Sequence, residues 1–513
     1  MSFRSSRIRA RIAVLSAFLV LTVFASSPAR GMEDEPVPEA PPASVEGVSE
    51  AGAERAEVSP EPHREVSSPD GGASQDSGDQ IEAGQQTPTE RLLTLEEVLA
   101  LARALLNQGQ AEEAEKIYQL LLQSSADEDV RIESAFQIGQ IRVLQGRYRA
   151  AVLYFIAILN HKPDIPRVRL ELARAYFLDK NYPDATLQFE LVKGGELPPE
   201  VVANVDRFLD LIRRQKNWTV DFSMVPVWDS NINQTSGARQ ECIDTVFGLL
   251  CRPLDEKASG VGLNLNTSVD YFKRFSQDWG LRASVGFSVM EHKGRAFDDY
   301  SLYTALGPRY LWASGEASLQ PTFRKRWYAG KQYREEYGLR VDGRKILNRL
   351  ILDGSANYTV HDYANSFING ILRGASWGAR LQPRYILNDR TFVQVGLEFL
   401  REDVRETAYA NDNWSYSLGA YRVLPYGLAL FLEGSLTKSR YHASQWFVTK
   451  DNMIDETVRK DKTLGLTASL SSNWLEEYNL IPILRYSYIK RTSNIWSREY
   501  ERNRVDFLVN LKM

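Results

Sequence analysis

The pattern of hydrophobic and polar residues changes once along this chain, close to residue 216. Before that point the apolar residues follow helical periodicity, and after it they alternate with polar residues as they do in β-strands. In the first strand-like segment, Trp218, Val220, Phe222 and Met224 share one face. About fourteen segments of this kind extend to the C-terminus, which predicts an antiparallel transmembrane β-barrel of about 14 strands.

The connections between these segments also favour a membrane barrel. If the helical part lies in the periplasm, the first strand runs outward, and this fixes the side of every later connection. The inner turns are then short, at residues 275–278, 313–315, 388–390 and 425–427. The outer connections are longer, at residues 230–259, 401–413 and 441–457. Outer-membrane barrels show this asymmetry. A soluble β-sandwich or propeller is the alternative, but those folds rarely run fourteen long strands with aromatic residues at the polar rims.

The helical part repeats at a spacing of 34 to 37 residues, measured between Gly109, Gly146 and Lys180. Small and aromatic residues recur at fixed distances from these anchors, in a pattern that resembles the tetratricopeptide repeat. Small residues let the two helices of a unit approach, and aromatic residues fill the space between units. An ordinary helical bundle is the alternative. The signature residues are Gly109, Ala114, Tyr118, Gly139, Gly146, Tyr148, Ala151, Phe155, Pro163, Ala173, Tyr176, Tyr182, Ala185 and Phe189.

These patterns predict an α + membrane β protein with two folded parts. A tetratricopeptide-type helical solenoid at residues 93–215 faces the periplasm, and the barrel follows at residues 216–513. Residues 1–31 contain basic residues, then an apolar run, and then small residues of the kind found at a cleavage site, so they are predicted to be a cleaved signal peptide. An uncleaved anchor would need roughly 20 apolar residues. Residues 32–92 nearly lack large apolar side chains and are predicted to be a disordered acidic linker.

Charged residues inside the strands are predicted to face the lumen, because a charge on the lipid face costs about 2–4 kcal/mol near the membrane centre. Two interpretations stay open for them. They form ion pairs that stiffen the barrel wall, or they line a polar conduit that guides a client. The alternation assigns to the lumen Arg309, Arg324, Arg326, Arg340, Arg380, Arg384 and Arg485, together with Glu336, Asp342 and Asp506.

The sequence contains no recognisable catalytic constellation. The five histidines are scattered, and no spacing matches a metal cage, a nucleophile elbow or a phosphate loop. We therefore expect no enzymatic activity, no metal and no cofactor. The net charge of -4 does not favour a nucleic-acid partner, and none is expected.

Cys242 and Cys251 are the two cysteines, and in an exported protein such a pair is predicted to form a disulfide. A metal site is the alternative, but zinc normally takes four ligands.

The segment Trp218–Asn233 resembles the start of the barrel in the surface lipoprotein assembly modifier family. Its most specific part is the motif Asp229, Ser230, Asn231, Ile232 and Asn233. The order of signal peptide, tetratricopeptide repeats and fourteen-strand barrel is also similar, so that the resemblance covers about residues 94–513. It implies an outer-membrane translocator that delivers particular lipoproteins, or soluble haem- and metal-scavenging proteins, to the cell surface. It also implies cooperation with the general barrel-assembly machinery.

The leading hypothesis is therefore a monomer in outer-membrane lipid whose repeat domain binds a client lipoprotein or secreted protein in the periplasm. Export would proceed by binding and threading without ATP, because the chain has no nucleotide-binding loop. Two other functions stay open. A polysaccharide exporter usually carries many more repeats and a pore of one charge sign, and a plain porin has no use for the repeat domain.

Overall fold

The computed structural model describes residues 93–215, 217–245, 248–478 and 480–511. The predicted signal peptide and the predicted acidic linker lie outside these residues. Among the residues described, no helix is both long and apolar enough to cross a membrane. The first described range contains helices α1 (Leu95–Asn107), α2 (Ala111–Ser124), α3 (Glu128–Leu144), α4 (Tyr148–His161), α5 (Pro166–Leu178), α6 (Tyr182–Val192) and α7 (Pro199–Gln215).

The three anchor residues of the repeat lie in the turns that end α1, α3 and α5. Gly109, Gly146 and Lys180 have φ values of +77°, +72° and +62°, in the left-handed region. Two of the three are glycine, which reaches this region without the steric strain that a Cβ atom brings. The residue after each anchor donates its N–H to the carbonyl five residues earlier, as in a Schellman helix end. The same turn is thus built three times.

Small residues allow the helices to approach closely. Ala102, Ala114, Ala151 and Ala173 are fully buried. At Gly139 in α3, an added Cβ would lie 2.6 Å from the ring of Phe155 in α4, which is closer than van der Waals contact allows. The aromatic members of the signature fill the space around these positions and contribute to two hydrophobic clusters, which share the partly buried residues Leu122 and Tyr154. The described residues therefore place the small and large members of the repeat pattern where stacking units need them.

The second part is a closed antiparallel barrel of fourteen strands, which confirms the predicted fold class. In the barrel, β1 lies between β4 and β16, and all other neighbours follow chain order. The barrel strands are β1 (Trp218–Asp229), β4 (Gly260–Arg274), β5 (Trp279–His292), β6 (Asp299–Trp312), β7 (Gly315–Tyr328), β8 (Lys331–Leu347), β9 (Leu350–Tyr363), β10 (Gly374–Asn388), β11 (Thr391–Val404), β12 (Asn411–Val423), β13 (Leu428–Val448), β14 (Ile454–Ser472), β15 (Leu480–Ser493) and β16 (Tyr500–Leu511). Outside the barrel wall, β2 (Gln240–Thr245) pairs with β3 (Gly248–Pro253), and α8 (Ser366–Leu372) follows β9.

Two sets of aromatic side chains mark the ends of the apolar outer wall. At the end that carries the helices, Trp218 packs on Tyr271 with ring centroids 4.3 Å apart. At the far end, Phe399 lies between Trp377 and Trp414, with centroid distances of 4.9 and 4.4 Å. Aromatic girdles of this kind lie at the two membrane interfaces of transmembrane barrels.

The connections agree with the sequence at one end of the barrel, and at the other end residues 230–259 agree while two later connections differ. At the helix-side end, residues 275–278, 313–314, 389–390 and 424–427 form short turns, close to where they were predicted. At the far end, the predicted loops at residues 401–413 and 441–457 are wrong in extent, because the connections are only residues 405–410 and 449–453. The strands continue here because ladder hydrogen bonds need no apolar face once a strand has left the lipid.

The largest of these extensions is a two-stranded ribbon made by the ends of β13 and β14. Pairing of β12 with β13 ends at Tyr441, and pairing of β15 with β14 ends at Asp461. Beyond these residues β13 and β14 pair only with each other among the residues described, as far as Val448 and Ile454. The ribbon therefore extends past the closed part of the barrel.

Candidate functional site

The candidate site is the barrel lumen with its helix-side mouth, and charged side chains line it. Arg309 forms an ion pair with Glu316, and its guanidinium lies 4.5 Å from the ring centroid of Phe272. Arg326 binds Asp299 through two nitrogens, the shorter contact being 2.6 Å. The pairing is typical of the predicted lumen-facing set, in which most cations have a carboxylate partner.

The remaining members of the predicted lumen-facing set contact either a charged group or a neutral oxygen atom. Carboxylates hold some of them, and neutral oxygens hold others. The contacts are Arg324 with Glu336 (3.8 Å), Arg340 with Asp342 (2.7 Å), Arg384 with Glu190 of α6 (3.4 Å), Asp506 with Arg504 (2.6 Å), Arg380 with Gln382 (3.0 Å) and Arg485 with Ser469 (3.3 Å).

The lumen contains polar cavities between these side chains. One of about 390 Å³ is lined by five arginines and three carboxylates, among them Arg282, Arg344 and Asp353. A second, of about 520 Å³, is lined mainly by small polar residues such as Asn266, Ser268 and Ser288. The wall therefore offers mixed charge with an excess of cations. Among the described residues, no group of three or more His, Cys, Asp or Glu side chains is arranged to hold a metal ion.

Helix α6 inserts apolar side chains into the helix-side mouth. Leu191 is fully buried against Ile351, Ile386 and Phe392, at inward positions near the ends of β9, β10 and β11. Gly194, just after α6, lies so close to the rim that an added Cβ would overlap the backbone of Asn388. The contact is therefore direct packing of helix on barrel.

Polar contacts hold the helices around the whole rim. Arg349 donates to the carbonyl of Gly195 (2.9 Å), and Tyr176 donates its hydroxyl to Glu476 (3.0 Å). Each of the six helix-side turns has at least one such contact. The other pairs are Arg214 with the Gln277 carbonyl, Arg213 with the Ala313 carbonyl, Arg169 with Asp389, Asn160 with the Tyr426 N–H, and Asn160 with Asn473. The helices thus form a cap over this end of the barrel, and we call α6 with its apolar contacts the plug.

Burial disfavours the charged forms of the ionisable residues that lie where the helices meet the barrel. Burial raises the pKa of the Glu190 carboxyl, and the nearby guanidinium groups of Arg344 and Arg384 lower it by a smaller amount. Burial likewise lowers the pKa of Arg169, which Asp389 partly offsets. A buried ion pair contributes little net stability, because desolvation cancels most of the attraction. Apolar packing around Leu191 is therefore the main source of adhesion in the plug.

The motif residues join the far ends of β1 and β16. Asp229 is almost fully buried, accepts from Arg502 Nε (2.8 Å) and accepts from the N–H of Asn231 (2.9 Å). Ser230 donates its N–H to the Asn503 carbonyl (2.9 Å) and accepts the Asn503 N–H through its hydroxyl (2.8 Å). These contacts connect the first barrel strand to the last.

The rest of the motif fastens the long connection that follows β1. Asn231 donates its amide to the carbonyls of Glu501 (3.0 Å) and Thr235 (2.9 Å). Asn233 donates to the Glu256 carbonyl (2.7 Å) and accepts the Ala258 N–H (2.9 Å). Asp229, Ser230, Asn231 and Asn233 therefore act as a clasp that closes the barrel at its far end.

The clasp matters because the junction that it closes, here called the seam, is short. Five ladder pairs join β1 to β16 among the described residues, whereas every other junction of the barrel has eleven or more. The seam ladder is interrupted at Val225 and Pro226, while β1 pairs with β4 without a break. The missing N–H of Pro226 therefore faces β16. Buried Val225, Val227 and Leu508 cover the seam from the lumen side.

Cys242 and Cys251 are joined by a disulfide across the β2–β3 hairpin. The hairpin is separate from the barrel sheet, so the bond should order this loop alone. In Cys242→Ser/Cys251→Ser we expect an unchanged heat-dependent shift in gel mobility, and faster protease cleavage between residues 240 and 253. Loss of the folded gel form in the double variant would contradict this local effect.

Sequence reasoning singled out the lumen arginines, the cysteine pair and the motif, but missed the plug. A signal for it was present. Ile351, Ile386 and Phe392 stand at inward positions near the helix-side end of a lumen wall that is mostly polar. Apolar side chains at one end of a polar lumen indicate that another apolar surface covers them.

Comparisons with known proteins relate the chain to a family. The sequence pattern of the family described as "Surface lipoprotein assembly modifier" matches residues 218–512. A relative of that name from Pasteurella multocida is 25% identical over 70% of this chain and 72% of its own length. "Surface lipoprotein assembly modifier 1" of Neisseria meningitidis is 23% identical over 71% and 73%. Among solved structures, the outer membrane channel DcaP of Acinetobacter baumannii covers 58% of this chain and 97% of its own, at 9% identity and a TM-score of 0.34.

Proposed function

The chain belongs to the surface lipoprotein assembly modifier family, and from this premise we propose that it delivers specific client proteins across the outer membrane to the cell surface. The barrel lies in the outer membrane, and the clients are surface lipoproteins or secreted haem- or metal-binding proteins. The tetratricopeptide-like repeats, residues 93–215, bind the client on the periplasmic side. The general barrel-assembly machinery is a further proposed partner.

The cap at the helix-side mouth is the observation that carries this proposal. The same helices that form the repeat array contact all six turns of the rim, and Leu191 occupies the mouth. A protein bound to the helices is thereby held at the entrance of a polar lumen. Binding that changes the position of α6 would couple capture of the client to opening of the route.

Two features of the lumen count against the other candidate functions. A porin needs a mouth that is open to small solutes, and here Leu191 and its barrel partners fill part of it. A conduit for an anionic polysaccharide needs a wall of one sign, and here carboxylates pair with most of the arginines. A folded or partly folded polypeptide carries both signs and suits a mixed wall better.

Surface labelling of a lipoprotein client encoded beside this protein tests the proposal. Leu101, Leu120 and Leu144 are exposed on α1, α2 and α3, with exposed fractions of 45%, 62% and 78%. We expect Leu101→Ser/Leu120→Ser/Leu144→Ser to lower antibody labelling of the client on intact cells at least several-fold, because exposed apolar side chains of a repeat array are its main adhesive contacts. Total client in lysed cells should stay constant.

A matched control replaces three exposed polar residues of the same region, Gln108→Ser/Glu112→Ser/Gln145→Ser, and should label as the unmodified protein does. If the intact chain itself gave no more client on the surface than a strain lacking it, export of that client would be refuted. If the triple leucine variant labelled normally, export would stand and capture by these helices would be refuted.

A further inference from the structure

Four exposed cations lie together on the outward face of the barrel at its far end. Lys438 and Arg440 belong to β13, and Lys460 and Lys462 belong to β14. Their even numbering gives them the same face as the outward-facing residues Leu432, Leu436, Leu464 and Leu466 of these two strands, and the opposite face from the lumen. We call these four residues the basic patch.

The patch places like charges directly opposite one another. In the β13–β14 ladder Lys438 faces Lys462, and Arg440 faces Lys460. Directly opposed residues on one face of an antiparallel pair have Cβ atoms about 4.5–5.5 Å apart, and like charges in this arrangement repel. Two successive like-charged pairs destabilise the sheet unless an anion lies between them.

The part of the chain that the structure describes does not supply that anion. Among the described residues, no carboxylate oxygen lies within 4 Å of the side-chain nitrogens of any of the four cations. The carboxylate closest in register is Asp412, opposite Arg440, and it is held instead by His442 (3.3 Å) and Arg401 (3.9 Å). On the other side of the patch, Lys490 already has Glu501 at 2.7 Å.

The height of the patch on the barrel wall identifies the kind of anion. Lys438 lies opposite Trp414, which belongs to the far-end aromatic set. Two residues nearer the membrane centre, Leu436 faces Leu464 across the same ladder. The cations therefore lie at the level of lipid headgroups, directly above an apolar surface that acyl chains can contact.

We propose that the basic patch binds the phosphorylated headgroup of an outer-leaflet glycolipid, whose acyl chains lie on Leu436 and Leu464. Phosphate groups between the opposed cations replace repulsion with charge-assisted hydrogen bonds. The bound lipid would also fix the base of the β13–β14 ribbon. This inference uses the outward orientation of the far end and is independent of which client the protein carries.

The orientation of the patch separates this ligand from an acidic stretch of a client protein. A client that passes through the lumen meets Arg282, Arg340 and Arg344, which face inward. The patch faces the opposite way, where lipid surrounds the wall. Lipid is therefore in contact with the patch at all times, whereas a client would have to reach it from outside the barrel.

The test uses the full-length purified protein and native mass spectrometry in mild detergent. Diphosphoryl lipid A is titrated against the unmodified protein and against Lys438→Gln/Arg440→Gln/Lys460→Gln/Lys462→Gln. We expect the unmodified protein to bind it and the variant to bind it on the order of ten-fold or more weakly, since each cation near an anionic lipid contributes separately. Lys257→Gln/Lys293→Gln/Arg295→Gln/Lys331→Gln is the control, because it removes the same charge from exposed far-end positions elsewhere, and it should bind normally.

Further measurements distinguish a lipid phosphate from free phosphate and check that the patch variant is folded. Dephosphorylated lipid A should bind no better to the unmodified protein than to the patch variant, and millimolar inorganic phosphate should not displace lipid A. The heat-dependent gel shift of the patch variant should match that of the control. Equal binding of lipid A by the patch variant and the control, or displacement by inorganic phosphate alone, would overturn the proposal.

Discussion

Replacing Leu191 by aspartate is expected to loosen the cap over the helix-side mouth and to make the barrel conduct ions more often. Leu191 is fully buried between α6 and the inward residues Ile351, Ile386 and Phe392. Loss of a buried leucine side chain alone costs about 2–5 kcal/mol, and an unpaired carboxylate in the same apolar site adds to that cost. A loss of about 3 kcal/mol would raise the ratio of uncapped to capped mouths on the order of a hundred-fold.

Conductance across planar lipid bilayers measures this effect. The unmodified protein should conduct rarely, and Leu191→Asp should show frequent large openings at the same protein concentration. Leu120→Asp is the matched control, because it makes the same change at an exposed position of α2, and it should stay closed. Gly194→Val provides an independent route to the same result, since its side chain cannot fit against Asn388. Closed channels in both plug variants, with normal helical circular dichroism, would show that α6 does not seal the mouth.

The second large effect is expected at Asp229. Asp229→Ala removes the carboxylate that accepts from Arg502 and from the Asn231 N–H. Breaking a buried ion pair from one side costs about 3–5 kcal/mol, and because Arg502 remains partly exposed we expect about 2–4 kcal/mol here. The loss should appear at the seam, where the ladder is shortest and has no other clasp among the described residues.

The urea midpoint of the folded gel form measures the stability of the barrel in Asp229→Ala. Asp221→Ala is the matched control on the same strand, because Asp221 is exposed and accepts one weak hydrogen bond from Ser268 at 3.3 Å. Its midpoint should remain close to that of the unmodified protein. The double variant Asp229→Ala/Arg502→Ala should recover part of the loss, since it leaves no unpaired cation. Equal midpoints for Asp229→Ala and Asp221→Ala would refute the clasp.

Local pattern was enough to predict the architecture, because both halves of the chain have strong periodicity. Residues such as Ala151 and Phe155 recur at repeat spacing, and the alternation of β4 or β5 can be read without any long-range information. The alternation of residues along each strand was also enough to assign the arginines to the lumen, since only one face of a membrane strand accepts charge.

The remaining features depend on contacts between distant segments. Whether Glu190 meets Arg384, or Asp229 meets Arg502, depends on how the helices dock and how the barrel closes. The seam itself is defined by strands that are far apart in sequence. The ribbon was missed for a different reason: β13 and β14 lose their apolar face beyond the membrane, so that strand and loop look alike in sequence.

Attachment of the helices to all six rim turns has a mechanical consequence. A cover that is fastened on one side can swing about that side, but one that is fastened at every point around a ring has no free border from which to lift. Disturbing one polar rim contact leaves the other five in place, so the loss of any single one of them should leave the cap seated, whereas loss of the apolar packing at Leu191 weakens the attachment as a whole. Opening of the lumen should therefore be a single concerted event, and a weakly bound ligand would leave the barrel capped.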